Sequence, residues 1–245
     1  MIVSIANQKG GAQKTTLTSL LATTVHYSLP QANVAVIDAD IQSSIFNFRK
    51  REMAAMERDS SKKEKFEQIQ EHLGKEMFPI VRADAESGGV LDAMQDLQEK
   101  GYNMILVDMP GTIQAGGLFD IYRNINYLFI PLDCDDQSQD STFSFLKKIK
   151  ELILDNGDLE HNMVDYSLFF TKHEANPILR SHKKFERLRA SLKAQDIHLL
   201  DNVFPNSDRW RTSITSTVLP FPQLKKYESI SPYPLMKEII KFVNR

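Results

Sequence analysis

The sequence predicts an α/β fold: a mostly parallel, twisted sheet with helices on both faces. Three observations carry this expectation. Short β-rich runs recur at 2–6, 34–38, 78–81, 104–108, 127–132 and 166–171 with helical segments between them, and alternation of this kind builds parallel sheets. Several of the runs are continuously apolar, Met104-Ile105-Leu106-Val107 among them, as strands covered on both faces require. The chain has 245 residues, 42% of them hydrophobic, enough for one well-buried core and too few for two domains of ordinary size. Residues 1–245 are therefore read as one domain, with its ligand expected at the carboxyl ends of the strands.

The first run, Ile2-Val3-Ser4-Ile5-Ala6, leads directly into Asn7-Gln8-Lys9-Gly10-Gly11-Ala12-Gln13-Lys14-Thr15-Thr16. Strand, glycine-rich turn, Lys-Thr and helix is an arrangement that holds nucleotide phosphates. Backbone N–H groups from Gly10 to Gln13 curl round an anion, Lys14 reaches the phosphates and the Thr15 hydroxyl binds Mg²⁺. A helix expected over 16–29, beginning at Thr16, adds its positive end to the same site. The second run ends in Asp38-Ala39-Asp40-Ile41-Gln42 and the fourth in Asp108-Met109-Pro110-Gly111. Carboxylates just beyond strand ends suit a metal-phosphate site, and Gly111, Gly116 and Gly117 would let the second of these turns reshape. An isolated Asp pair of this kind would more simply be read as capping the next helix.

With Lys9 included, the loop resembles the K-G-G-x-x-K-[ST] loop of the ParA and MinD family of dimeric ATPases. Gln8 is ordinary for that family; Gln13 is a departure, because members usually carry Val-Gly where this chain has Ala12-Gln13. The resemblance implies a P-loop NTPase fold, ATP and Mg²⁺ as cofactors, and an ATP-dependent homodimer. It implies that Lys9 reaches the partner subunit's nucleotide and that Asp40 orients the attacking water. Asp38 then supports the Mg²⁺ shell, Asp108 is the Walker B carboxylate, and Thr171, Lys172 and Pro205 lie on the base side. It further implies DNA binding without sequence preference, an activating partner of the ParB kind, and a role in DNA partition or conjugative transfer.

The remaining features bound this reading. Thirty Lys plus Arg against 32 Asp plus Glu leaves a net charge of −2, so DNA contact must come from a local basic face. Candidates are Arg180, Lys183, Lys184, Arg187, Arg189 and Lys193, then Arg209, Arg211, Lys225 and Lys226, with Arg209 and Arg211 preferred. Cys134 is the only cysteine, which excludes an internal disulfide and points to a packing role in a reducing compartment. His161, His173, His182 and His198 show no metal-ligand spacing. No apolar run approaches the length of a membrane span, and no signal segment opens the chain, so a cytoplasmic protein is expected; the resemblance implies association with the nucleoid when ATP is bound. The amphipathic stretch 235–243 is read as a core-packing helix. The charged stretch 46–75 is read as surface helix, with a partner-docking insertion as its alternative. Two other functions stay open: a scaffold that holds nucleotide without turnover because of Gln13, and a MinD-like membrane-cycling ATPase.

Overall fold

The computed structural model describes residues 1–8, 13–85, 87–111, 117–133, 135–157, 160–171, 182–205, 217–218 and 231–245. Six strands form one sheet: β1 Ile2–Ile5, β2 Val34–Asp38, β3 Ile80–Arg82, β4 Met104–Asp108, β5 Tyr127–Leu132 and β6 Asp165–Phe170. Their order is β3-β2-β4-β1-β5-β6, and every pairing is parallel. From β1 the chain skips to β2 and β3, returns to place β4 against β1, and then continues to β5 and β6 on the other side, so the crevice where the direction reverses opens beyond the carboxyl ends of β4, β1 and β5.

The described α-helices are α1 Lys14–Ser28, α2 Ser44–Glu57, α3 Ser60–Leu73, α4 Gly89–Glu99, α5 Leu118–Asn124, α6 Asp136–Ile149, which continues into a π-helical turn at Lys150–Leu154, α7 His182–Ala194 and α8 Tyr233–Val243. Strand residues alternate between two cores, as side chains on a pleated sheet must. Val3, Ile5, Leu106, Phe129 and Phe169 pack with Leu17, Leu20 and Leu21 of α1 and Leu235, Ile239 and Phe242 of α8. Ile2, Ile105, Val107, Leu128, Ile130 and Phe170 face the opposite way, toward Met94, Tyr122, Phe145 and Leu192 from α4 to α7. The apolar face of α8 is therefore committed to the core, as expected.

β1 and β6 differ from the sequence reading by one residue at their ends, and three further outcomes have a local cause or extent of their own. β3 starts at Ile80 and not at Phe78, because Pro79 has no N–H to donate; its carbonyl still accepts from the Val36 N–H at 3.0 Å. The stretch 46–75 is two helices, divided where Asp59 accepts from the Lys62 N–H at 3.2 Å and caps α3. Its exposed character holds, since Phe66 is the one buried residue of α3. α1 begins at Lys14, one turn-half earlier than Thr16.

The amino-terminal edge of the sheet is closed by polar side chains that find partners. Lys75 Nζ donates to the carbonyls of His26 at 3.0 Å, Leu29 at 2.7 Å and Ala32 at 2.9 Å. It satisfies the open end of α1, where a cation is also favoured by the helix dipole. Asn126 Oδ1 accepts from the Ile2 N–H at 2.6 Å, and Asn103 Oδ1 from the Asn33 N–H at 2.8 Å.

Candidate functional site

At the carboxyl edge the paired register of β2 and β4 sets Asp38 directly opposite Asp108, and the Ala39 N–H donates to the Asp108 carbonyl at 3.0 Å. Asp108 is fully buried, and neither of its carboxylate oxygens has a hydrogen-bond partner among the described residues. Burial pushes its pKa up to about 7; the nearby Thr15 hydroxyl and Lys14 act against that rise, while Asp38 and Asp40 add to it. Asp38 is buried as well, and burial raises its pKa against the backbone N–H groups that hold it down. Its Oδ2 accepts from the Phe46 N–H at 2.9 Å, so the capping interpretation holds for one oxygen. The other, Oδ1, is buried without a partner.

Asp40 sits in the turn that follows. Its Oδ1 accepts from the Gln42 N–H at 2.9 Å and its carbonyl from the Ser43 N–H at 2.8 Å. Ser43 takes the left-handed conformation (φ 47°) and receives the Arg82 Nε–H on its hydroxyl at 2.8 Å, which ties the turn to β3. Ile41, beside Asp40, is 91% exposed.

The α1 start supplies the opposing charge. Lys14 has its pKa lowered by burial and supported by Asp108 and Asp40. Its Nζ would lie 3.5 Å from a Cβ at Gly111, so the loop after β4 approaches the ammonium closely. Thr15 and Thr16 lie in the first turn of α1, Thr15 beside Asp108. Gln13 precedes the helix with φ 59° and ψ 21°, and its carbonyl accepts the Leu17 N–H at 3.0 Å. That left-handed backbone is the physical reason glycine suits the position.

These donors fit a phosphate-bound Mg²⁺. Asp38 Oδ1, both oxygens of Asp108 and the Thr15 hydroxyl are hard oxygen donors, three of them buried and unsatisfied. No group of three His, Cys, Asp or Glu placed to hold a metal ion occurs among the described residues.

The segments that carry Thr171 and Pro205 are joined through backbone bonds at the far side of this edge. The Thr171 N–H donates to the Leu132 carbonyl at 2.9 Å, and the Phe204 N–H to Phe170 at 2.7 Å. Lys9, Gly10, Gly11, Ala12, Lys172, Cys134, Gly116, Arg180, Arg209, Arg211, Lys225 and Lys226 lie outside the described residues. Of the basic residues on α7, Arg189 is engaged, pairing with Asp201 at 3.1 Å and lying over the Phe185 ring. Sequence reasoning missed Asn7. Its Nδ2 donates to the Pro131 carbonyl at 2.7 Å and to the Thr142 hydroxyl at 2.8 Å, fixing the start of the loop to β5 and α6. A buried amide at the end of an apolar strand was the available signal.

A comparison with curated proteins gives no match. Among solved structures, apo McdA of Cyanthece aligns over 98% of this chain and 99% of its own, at 15% identity and a TM-score of 0.66. The MinC:MinD cell division protein complex of Aquifex aeolicus gives 14% identity, coverage of 100% and 96%, and a TM-score of 0.64. pNOB8 ParA bound to nonspecific DNA gives 18%, 99% and 98%, and 0.58. Identities this low establish the shared fold. The CobQ/CobB/MinD/ParA nucleotide binding domain model matches residues 3–220, and with that span covering most of the chain, the protein belongs to this family.

Proposed function

We propose that residues 1–245 act as one ParA-like ATPase that cycles between monomer and ATP-bound dimer. The observation that carries this reading is the set of buried, unpartnered oxygens of Asp38 and Asp108 facing the Lys14 end of α1. Such a desolvated charge arrangement is costly alone and is balanced by a cation and phosphates. The backbone from Gly10 to Gln13 cradles the phosphates, Lys14 neutralises them, and Thr15, Asp38 and Asp108 hold Mg²⁺. Bound Mg²⁺ supplies charge neutralisation on the phosphate oxygens. Asp40, anchored by its own turn and reachable by solvent, orients the attacking water. Thr16 completes the first helical turn, Lys9 crosses to the partner's nucleotide, and Thr171, Lys172 and Pro205 flank the base.

The dimer binds DNA through phosphate contacts, with Arg209 and Arg211 as the first candidates, and an activating protein of the ParB kind accelerates turnover in the cytoplasm. The DNA-bound relative and the MinC:MinD complex support partners of these kinds. Partition and conjugative transfer are the two settings this cycle suits. The membrane-cycling alternative is disfavoured because α8 spends its apolar face on the sheet. The test is MgATP turnover and dimerisation with and without DNA, for the chain and for Asp40→Ala. Turnover that Asp40→Ala abolishes while prolonging the ATP-bound dimer is expected. An Asp40→Ala protein that hydrolyses ATP normally removes the catalytic assignment.

A further inference from the structure

We infer that the Gln13 side chain is a ligand of the bound phosphates, so that this chain has replaced a loop glycine by a second hydrogen-bonding group for the nucleotide. The inference rests on the nucleotide-binding reading above and deepens it. Gln13 holds a left-handed backbone (φ 59°, ψ 21°) that a side chain disfavours. Its amide is also left without partners: Nε2 and Oε1 are both shielded from solvent, and neither has a hydrogen bond among the described residues. Strain and an unsatisfied buried amide at one residue are two independent penalties, and such penalties concentrate where a ligand relieves them.

The distribution of unpartnered buried atoms gives the ligand its chemistry. Apart from Thr18 and His26, they belong to Asp38, Asp108 and Gln13. The strand-end carboxylates offer acceptors, which a cation satisfies. Gln13, next to Lys14 at the start of α1, offers an N–H₂ donor, which an anion satisfies. A metal-bound polyphosphate meets both demands, with Nε2 donating to a phosphate oxygen and Oε1 free to accept from a water in the phosphate shell. Gln13 is thus a binding residue through its side chain as well as its backbone.

Equilibrium titration with MgATP and MgADP, together with melting curves of the nucleotide-free protein, tests this on the full chain. Gln13→Ala and Gln13→Gly should weaken both nucleotides by about tenfold or more, the range for a hydrogen bond to a charged group. Gln13→Glu, which swaps the donor for a carboxylate of the same shape, should weaken them by at least about 100-fold. Gln13→Gly should also melt at a higher temperature than the parent without nucleotide and gain less on adding it. Gln13→Gly and Gln13→Ala binding as tightly as the parent, or tighter, overturns the inference. Lys14→Ala separates that result from failure of the site itself: if Lys14→Ala loses binding while the Gln13 variants keep it, Gln13 alone is misassigned. If the parent binds neither nucleotide, both readings fall.

Discussion

The two ends of the sheet treat buried polar groups in opposite ways. At the amino-terminal edge Lys75 is matched with three carbonyls, and Asn126 and Asn103 each close an exposed backbone N–H. At the carboxyl edge Asp108 is buried with only the nearby Thr15 hydroxyl beside it and no hydrogen bond of good geometry among the described residues, and Asp38 has one oxygen matched and one not. The same strands, β2 and β4, run between the two. Satisfied polar groups mark the end that holds the fold together; unsatisfied ones mark the end shaped for something other than protein.

The largest effect should come from breaking the matched end. Lys75→Met takes the shared donor from the carbonyls of His26, Leu29 and Ala32, of which only Leu29 keeps another, the Ala32 N–H, and should lower stability by about 3 kcal/mol, measured by urea unfolding, with nucleotide affinity unchanged. At the other end the sign reverses: Asp108→Asn removes a carboxylate that burial disfavours and should raise the nucleotide-free stability by about 2 kcal/mol near pH 8, while Mg²⁺-dependent binding is lost. A loss of stability from Asp108→Asn would show that both ends are built alike.

A smaller effect should follow from His26, which qualifies the comparison because it lies at the amino-terminal end with both ring nitrogens lacking a partner of good geometry. Burial first, then the positive charges of Lys75 and Arg49, depress its pKa to about 4 against the opposing Glu76 backbone. Between about pH 6.5 and 4 the unfolded chain binds the proton that the folded chain refuses. Its contribution is complete above the unfolded value and disappears as pH falls through the folded one, about 1 kcal/mol in all after allowance for relaxation. Replacing His26 by Gln should flatten that slope in denaturation midpoints. Smallest is the exposed pair Lys63 and Glu67, 3.9 Å apart and each 61% exposed; Lys63→Ala should change stability by less than about 0.5 kcal/mol.

How much of this was legible in the sequence follows the same division. The strands were visible because burial on both faces writes an uninterrupted apolar run, and only their ends moved, by one or two residues in β1, β3 and β6. Lys14, Thr15, Asp38 and Asp108 were legible because phosphate chemistry dictates both residue type and position after a strand, and the structure brings Lys14, Thr15, Asp38 and Asp108 to one edge. The clamps of Lys75 and Asn7 were not, since a side chain bonding to backbone far along the chain leaves no periodic trace. The break at Asp59 was readable in principle: Asp-Ser-Ser before a helical run is a capping signal, here submerged in a stretch of uniform charge. The left-handed backbone of Gln13 was foreshadowed by the glycine it replaces in the family loop, whereas its isolated amide required coordinates.

Asp38 has one further consequence, for genetics. Because its Oδ2 secures the start of α2 at Phe46 while Oδ1 is, on the proposed function, a cation ligand, an Asp38 variant that fails in a cell would have two indistinguishable defects, a lost ligand and a frayed helix. The Asp108 side chain accepts no backbone N–H of good geometry among the described residues. A null allele that reports on the nucleotide alone should therefore be made at Asp108, and phenotypes at Asp38 interpreted only beside a measurement of how much folded protein remains.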